Sequence, residues 1–345
     1  MKPANSAKRL YEETKLLVLS EQNKVSHSTV NSLVDFLDVD DLLVVNRSAT
    51  LPASFSGQIE RTHQVVEIRL AAFQGPDPSQ LQNWFAFSFG AGDWTIPTEK
   101  RGLPPALSPG DRVIIGEDLI ADIVSVQHER LLSIRFLSSS LQKSLYTHGR
   151  PIQYSYHKDA LEIWDQQTIF SGPAISVEPP SASFPLTWQM IFRLKNKGIR
   201  LASLLHGAGI SSTGSQYLDS KLPLREWYSI PSATRELINT TKSNGNRVVA
   251  LGTTVLRAIE SAADNGQAQA GAGLTTLKFS PGYQFKTIDT LITGMHEFGT
   301  SHRDVLNALC PPELVQVGYE QVEFHDYRDH EYGDISLLDC RKSII

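Results

Sequence analysis

Between Arg247 and Glu297 the chain concentrates residues able to bind and deprotonate a small polar molecule. Gly252 can let a ligand approach the backbone, Thr253 or Thr254 can cap a helix with a hydroxyl, and Arg257 can meet an anion. Pro281-Gly282-Tyr283 sets an aromatic face behind a tight turn, suited to stacking on adenine or another nucleobase. Asp289 and His296 lie near each other, with Thr293 between them. Histidine is the natural general base at neutral pH, and a carboxylate can orient it. Plainer readings stand beside these. Arg257 and Glu260 are spaced as an ordinary helix-surface ion pair, Tyr283 suits a core, and His296 can cap a strand end.

The elements that must hold these groups are legible nearby. Val248–Leu251 is an apolar run that breaks at Gly252 and continues as an amphipathic stretch over 255–263, which reads as strand, turn, helix. Such a junction aims free N–H groups and the positive end of a helix dipole at whatever sits above it. Arg200–His206 reads as a strand ending in Gly207-Ala208-Gly209, where a ribose or methionine moiety could pass close to the backbone. A plain turn has the same composition. Trp188–Lys197 predicts a helix stopped by Gly198, and residues 232–242 and 301–309 predict two more. Lys15–Ser20 and residues 41–45 have strand character, residues 28–36 suit a turn and short helix, and 265–273 is a flexible loop by composition.

GTTVLRAIESAA, PGYQFKTIDTLIT and the His296 that follows resemble the C-terminal signature of the tRNA ribosyltransferase-isomerases of queuosine biosynthesis. The resemblance runs, with gaps, from Lys15 to Leu338. It implies transfer of the ribosyl part of S-adenosylmethionine to a 7-aminomethyl-7-deazaguanine in tRNA, isomerised to epoxyqueuosine, with adenine and methionine leaving. S-adenosylmethionine is then a consumed substrate, and no metal is implied. The implied partner is the anticodon region of tRNA, gripped by Lys195, Lys197, Arg200 and Trp188. The resemblance points to His296, Asp289 and Glu226 as the catalytic set. It points to Gly207, Gly209, Gly252, Thr253, Thr254, Arg257, Tyr283, Thr293 and Asp334 as substrate contacts.

Departures from the family pattern are as informative as the matches. Glu226 matches a glutamate in the family segment HKMHSEYY, whose two histidines are here Lys221 and Leu224. The family's LHVGAGTF has one residue between histidine and glycine; this sequence has none, so His206 is expected to point away from the site. Asp334 sits in Tyr332-Gly333-Asp334, matching the family's YGD, or simply a turn. Leu42–Asn46 and Pro52-Ala53 follow LLVFND…IPAR, but Arg47, Ser48, Ala49 and Ser54 replace its Asp, Thr and two arginines. Residues 179–184 correspond to PTAGLHF without its histidine. Turns and apolar spacings persist while polar groups change. Two alternatives follow: a divergent paralogue with a nucleoside-type pocket for another substrate, and a non-catalytic RNA- or protein-binding module. Convergence of Asp289, His296 and Glu226 on one pocket favours an enzyme; their dispersal favours the module.

Length and composition frame these readings. A chain of 345 residues suggests two domains, and 41% hydrophobic with 20% charged residues is ordinary for a soluble globular protein. A formal net charge of −5 excludes a strongly basic nucleic-acid binder but leaves room for a local basic strip. Cys310 and Cys340 lack metal-ligand spacing and read as reduced thiols. The polar start MKPANSAKRLYEETK has no secretory apolar region, and no apolar run reaches membrane-span length, so a cytoplasmic monomer is expected. From Gly57 to Gly149 short strands broken by Gly and Pro predict a barrel or sandwich, and after residue 151 strands and helices alternate. The expected fold class is a mixed α/β core domain (residues 1–56 and 151–345) interrupted by an inserted all-β barrel-like domain (residues 57–150).

Overall fold

A computed structural model describes residues 1–7, 11–20, 24–295 and 301–339. At its centre is a nine-stranded mixed sheet. Its strands run in the order Gly271–Thr275, Glu226–Ile230, Arg200–His206, Leu42–Asn46, Val248–Leu251, Thr290–Gly294, Ile335–Asp339, Lys15–Ser20 and Lys24–Thr29. The four strands from Arg200–His206 to Thr290–Gly294 are mutually parallel. Their unbroken apolar runs mean burial on both faces. Leu17, Leu42, Val44, Val248, Ala250 and Leu291 face the helices Thr253–Ala262 and Pro312–Phe324. Leu16, Leu43, Val45, Val249, Leu251 and Ile292 face Trp188–Lys197 and the 3-10 helix Val30–Phe36. Each such side chain contributes about 1.5–3 kcal/mol on burial, so a one-residue slip in any strand would be costly.

Between the strands Leu42–Asn46 and Ala174–Ser176 the chain closes a six-stranded barrel. Its strands are Ser54–Ile59, Val65–Phe73, Asn83–Phe89, Arg112–Gly116, Leu119–Val126 and Leu131–Leu137, packed around Phe55, Phe73, Trp84, Phe87 and Phe136. The fold class is therefore the mixed α/β core interrupted by an all-β barrel that the sequence implies.

Local signals place several elements to the residue. The helix Trp188–Lys197 starts where the Thr187 side chain accepts from Met190 N–H and ends at Gly198, φ 96°. Arg200–His206, Lys15–Ser20 and Ser301–Leu309 also form as read. Other readings need correction. The short helix read within 28–36 forms as the 3-10 helix Val30–Phe36, but residues 28 and 29 close the edge strand Lys24–Thr29; Gly271–Thr275 pairs with Glu226–Ile230 where residues 265–273 were expected to be a flexible loop. The helix Pro312–Phe324 was not anticipated; Pro312 serves its first turn, where no N–H is needed. Cys310 is disulfide-bonded, not a reduced thiol, and Cys340, the chain's other cysteine, lies outside the described residues. Among the described residues no helix is long and apolar enough to cross a membrane.

Candidate active site at the carboxyl ends of the parallel strands

Strand parity gathers the polar groups. Asn46 continues the face of Leu42 and Val44, and His206 that of Ala202 and Leu204; Glu226 precedes Tyr228 and Ile230 on the same face. All three meet the helix Thr253–Ala262 where it leaves the sheet. Asn46 ties the strand ends together. Its Nδ2 donates to His206 O at 2.9 Å and to Thr254 Oγ1 at 3.3 Å, while its Oδ1 accepts from the N–H groups of His206 and Ser48. His206 O also accepts from Ser48 Oγ and Ser176 Oγ, and Ser176 Oγ accepts from Ala208 N–H. This buried knot fixes where the next layer of groups must stand.

That layer is Glu226, Arg257 and His206, exposed by 4%, 7% and 0%. Glu226 Oε1 accepts from Gly209 N–H at 2.7 Å, and Oε2 pairs with Arg257 Nη1. Arg257 Nε donates to Leu277 O at 3.0 Å, leaving Nη2 without a partner. His206 Nε2 lies 3.4 Å from Glu226 Oε2, outside hydrogen-bonding geometry, and neither ring nitrogen has a bond. Burial first, and then the Arg257 charge, hold the imidazole well below its ordinary pKa, so it is neutral. Burial pushes the Glu226 carboxyl up, opposed by Arg257 and the Gly209 N–H. The cluster thus pairs a buried ion pair with an unbonded guanidinium N–H and a neutral imidazole. His206 faces this cluster, which corrects the expectation that it points away. Glu226 is neither exposed nor in a loop.

The glycines act differently from expectation. Gly252 adopts φ 94°, ψ 152°, a conformation open essentially to glycine alone, and is itself the helix N-cap residue; neither Thr253 nor Thr254 caps the helix with its hydroxyl. At Gly209 an added Cβ would fall 2.6 Å from Ala71 O and 2.7 Å from Glu226 Oε1. At Gly207 it would fall 3.0 Å from Ile175 O. The close approach that Gly207 and Gly209 allow is thus already used by Ile175, by the barrel residue Ala71 and by Glu226.

The other sequence candidates stand at both ends of the sheet. Asp289 stands at the amino end of its strand, opposite the Gly252 end, where Oδ1 pairs with Lys242 at 2.6 Å and Oδ2 accepts from Val248 N–H. Asp334 lies at the carboxyl end of the parallel strands, but its two oxygens accept from the N–H groups of Lys15 and Arg328, each at 2.7 Å. Thr293 is buried on the face of Leu291. Tyr283 packs with Phe279 and Phe285 and donates to Glu260 at 3.4 Å; burial and that carboxylate push its hydroxyl up to about 12. Glu260 accepts from the N–H groups of Lys286, Thr287 and Ile288 rather than pairing with Arg257. His296 lies outside the described residues. In the basic strip, Lys197 donates to Val34 O, and Arg200 to Asp40 O and Thr241. A groove of about 500 Å³ lined by Lys195, Arg200 and Leu237 sits at that amino end, away from the Glu226 cluster. We place the candidate site on the cluster, because the groove holds no carboxylate or imidazole.

A family model described as "Queuosine biosynthesis protein" matches residues 2–338. The chain belongs to this family. It is 30% identical to the S-adenosylmethionine:tRNA ribosyltransferase-isomerase of Synechococcus elongatus, covering 97% of this chain and 92% of the relative. It is 28% identical to the enzyme of that name from Trichlorobacter lovleyi, covering 97% and 94%. The crystal structure of an S-adenosylmethionine tRNA ribosyltransferase from Thermotoga maritima aligns over 98% of this chain and 95% of that one, with TM-score 0.51 and 22% identity, a likeness of fold.

Proposed function

We propose that this protein transfers the ribosyl moiety of S-adenosylmethionine to a 7-aminomethyl-7-deazaguanine in tRNA and isomerises it to epoxyqueuosine. The observation that carries this reading is the buried Glu226–Arg257–His206 cluster beside the Gly252 turn, in a chain of this family. The helix that opens at Gly252 has first-turn N–H groups without a side-chain cap, suited to the methionine carboxylate or ribose oxygens. Arg257, with one free N–H edge, is suited to the same anionic end. The reaction needs a base that removes a proton beside the sulfonium. His206, held neutral, and His296 are the imidazoles assigned to it; Asp289, committed to Lys242, is not.

Dispersal of Asp289 from Glu226 counts toward a binding module by the criterion of a shared pocket. The enzyme reading rests instead on the groups that do converge. A divergent acceptor remains the second reading, favoured by Arg47 and Ala49, which stand where the family pattern has an aspartate and an arginine. Incubation with S-adenosylmethionine and tRNA carrying the aminomethyl base, followed by nucleoside mass spectrometry, tests the proposal. Epoxyqueuosine with stoichiometric adenine and methionine supports it. S-adenosylmethionine consumption without that nucleoside selects the divergent acceptor, and no consumption rejects both.

A further inference from the structure

A second polar cluster lies outside the Glu226 site and is built with the opposite balance of charge. Glu178 Oε1 accepts from Tyr154 hydroxyl at 2.5 Å and from Ser211 N–H at 3.1 Å, and Glu331 Oε2 accepts from the Tyr156 hydroxyl. The rings of Tyr154 and Tyr156 stack at 5.9 Å, and His157 and His330 lie 4.5 and 4.3 Å from Tyr156. Several other carboxylates of the fold are matched. Glu226 has Arg257, Glu67 has Arg69 and Arg101, and Asp41 has Arg247; Glu260 and Asp334 hold backbone N–H groups. Among the described residues, Glu178 and Glu331 meet phenols and imidazole but no lysine or arginine. His157 stands beside them: it is 4% exposed, its Nε2 lies 3.8 Å from Glu331 Oε2, and its Nδ1 has no partner.

We propose that Glu178, Glu331, Tyr154, Tyr156 and His157 bind a positively charged group of the substrate. Carboxylates supply the counter-charge, the stacked phenol rings supply cation–π faces, and a neutral imidazole supplies an acceptor. Burial and the Glu331 charge push the Glu178 carboxyl up to about 7, and burial holds His157 below its ordinary value. Gly209 N–H holds Glu226 and Ser211 N–H holds Glu178, so the two carboxylates are tied to the same short loop. The inference rests on the proposed function for its ligand. That reaction offers two cations, the sulfonium of S-adenosylmethionine and the ammonium of the 7-aminomethyl base.

Calorimetry on the full chain distinguishes them with two charged and neutral pairs. These are S-adenosylmethionine against S-adenosylhomocysteine, and 7-aminomethyl-7-deazaguanine against 7-methyl-7-deazaguanine. The Glu178→Gln/Glu331→Gln variant keeps acceptors for both phenols and removes the charge. In the wild type we expect the charged member of one pair to bind about tenfold more tightly, and the variant to lose that preference while binding the neutral member unchanged. The pair affected names the cation. A charged-over-neutral preference that is the same in both proteins overturns the site. If the wild type binds neither pair, the proposed function falls separately, and methylammonium against sodium chloride at equal ionic strength decides the site. A rise in Tm confined to the wild type supports it; equal behaviour of the two proteins overturns it.

Discussion

Replacing Arg257 with methionine removes the cation of the buried pair and leaves Glu226, 4% exposed, with the Gly209 N–H and a neutral imidazole for company. A carboxylate so placed takes up a proton. Relative to an unfolded glutamate of pKa about 4.3, holding that proton at pH 7 costs about 2.7 units at about 1.4 kcal/mol each, or about 4 kcal/mol. The same magnitude, about 3–5 kcal/mol, is typical when one partner of a buried pair is removed. The sign of the pH dependence follows. In the variant the folded pKa lies above the unfolded one, so the protonated form is stable below about pH 4 and the deficit grows as pH rises toward the folded value. Urea unfolding of Arg257→Met should therefore show a loss of about 4 kcal/mol at pH 7 and about 1 kcal/mol at pH 5, and Glu226→Gln/Arg257→Met should recover most of it. A loss below about 1 kcal/mol that is equal at pH 5 and pH 8 would refute the desolvated pair.

Gly209→Ala forces a Cβ to 2.6 Å from Ala71 O and should cost about 1–3 kcal/mol by thermal unfolding; a neutral result would mean the loop and barrel strand separate freely. Lys242→Met should lower stability by about 1 kcal/mol or less, because the pair with Asp289 is partly exposed, and should leave S-adenosylmethionine affinity unchanged by calorimetry. Weakened binding would return Asp289 to the site. Cation affinity at Glu178 should rise about tenfold per pH unit below pH 7 and flatten above it, since binding expels one proton; Glu331, Tyr154, Tyr156, His157 and His330 are the other titratable groups facing it. A flat calorimetric profile from pH 6 to pH 8 would contradict this.

The elements were legible where one local signal was enough. Gly198 and Thr187 bracket the helix Trp188–Lys197, and the apolar run before Gly252 announces strand, turn and helix. The candidate site was only half legible. Glu226, Arg257, Gly209 and Gly252 are among its residues, yet the Asn46–Ser48–Ser176 knot joins positions far apart in the chain and carries no spacing signal. His206 was misread because parity was counted from the displaced glycines; counting from Ala202 and Leu204 turns it toward the helix. Asp289 and Asp334 look like site carboxylates in sequence, and both instead satisfy backbone N–H groups at strand ends. Tertiary hydrogen bonding decides such cases. The Tyr154–Glu178 and Tyr156–Glu331 pairs were invisible for the same reason.

The central claim is that the Glu226 cluster, and not the Asp289 end of the sheet, receives S-adenosylmethionine. Calorimetric titration of wild type, Glu226→Gln and Asp289→Asn with S-adenosylmethionine tests it directly. The account predicts binding in the wild type, a loss of about tenfold or more in Glu226→Gln, and little change in Asp289→Asn. Binding lost in Asp289→Asn but kept in Glu226→Gln would contradict it, as would no binding to the wild type.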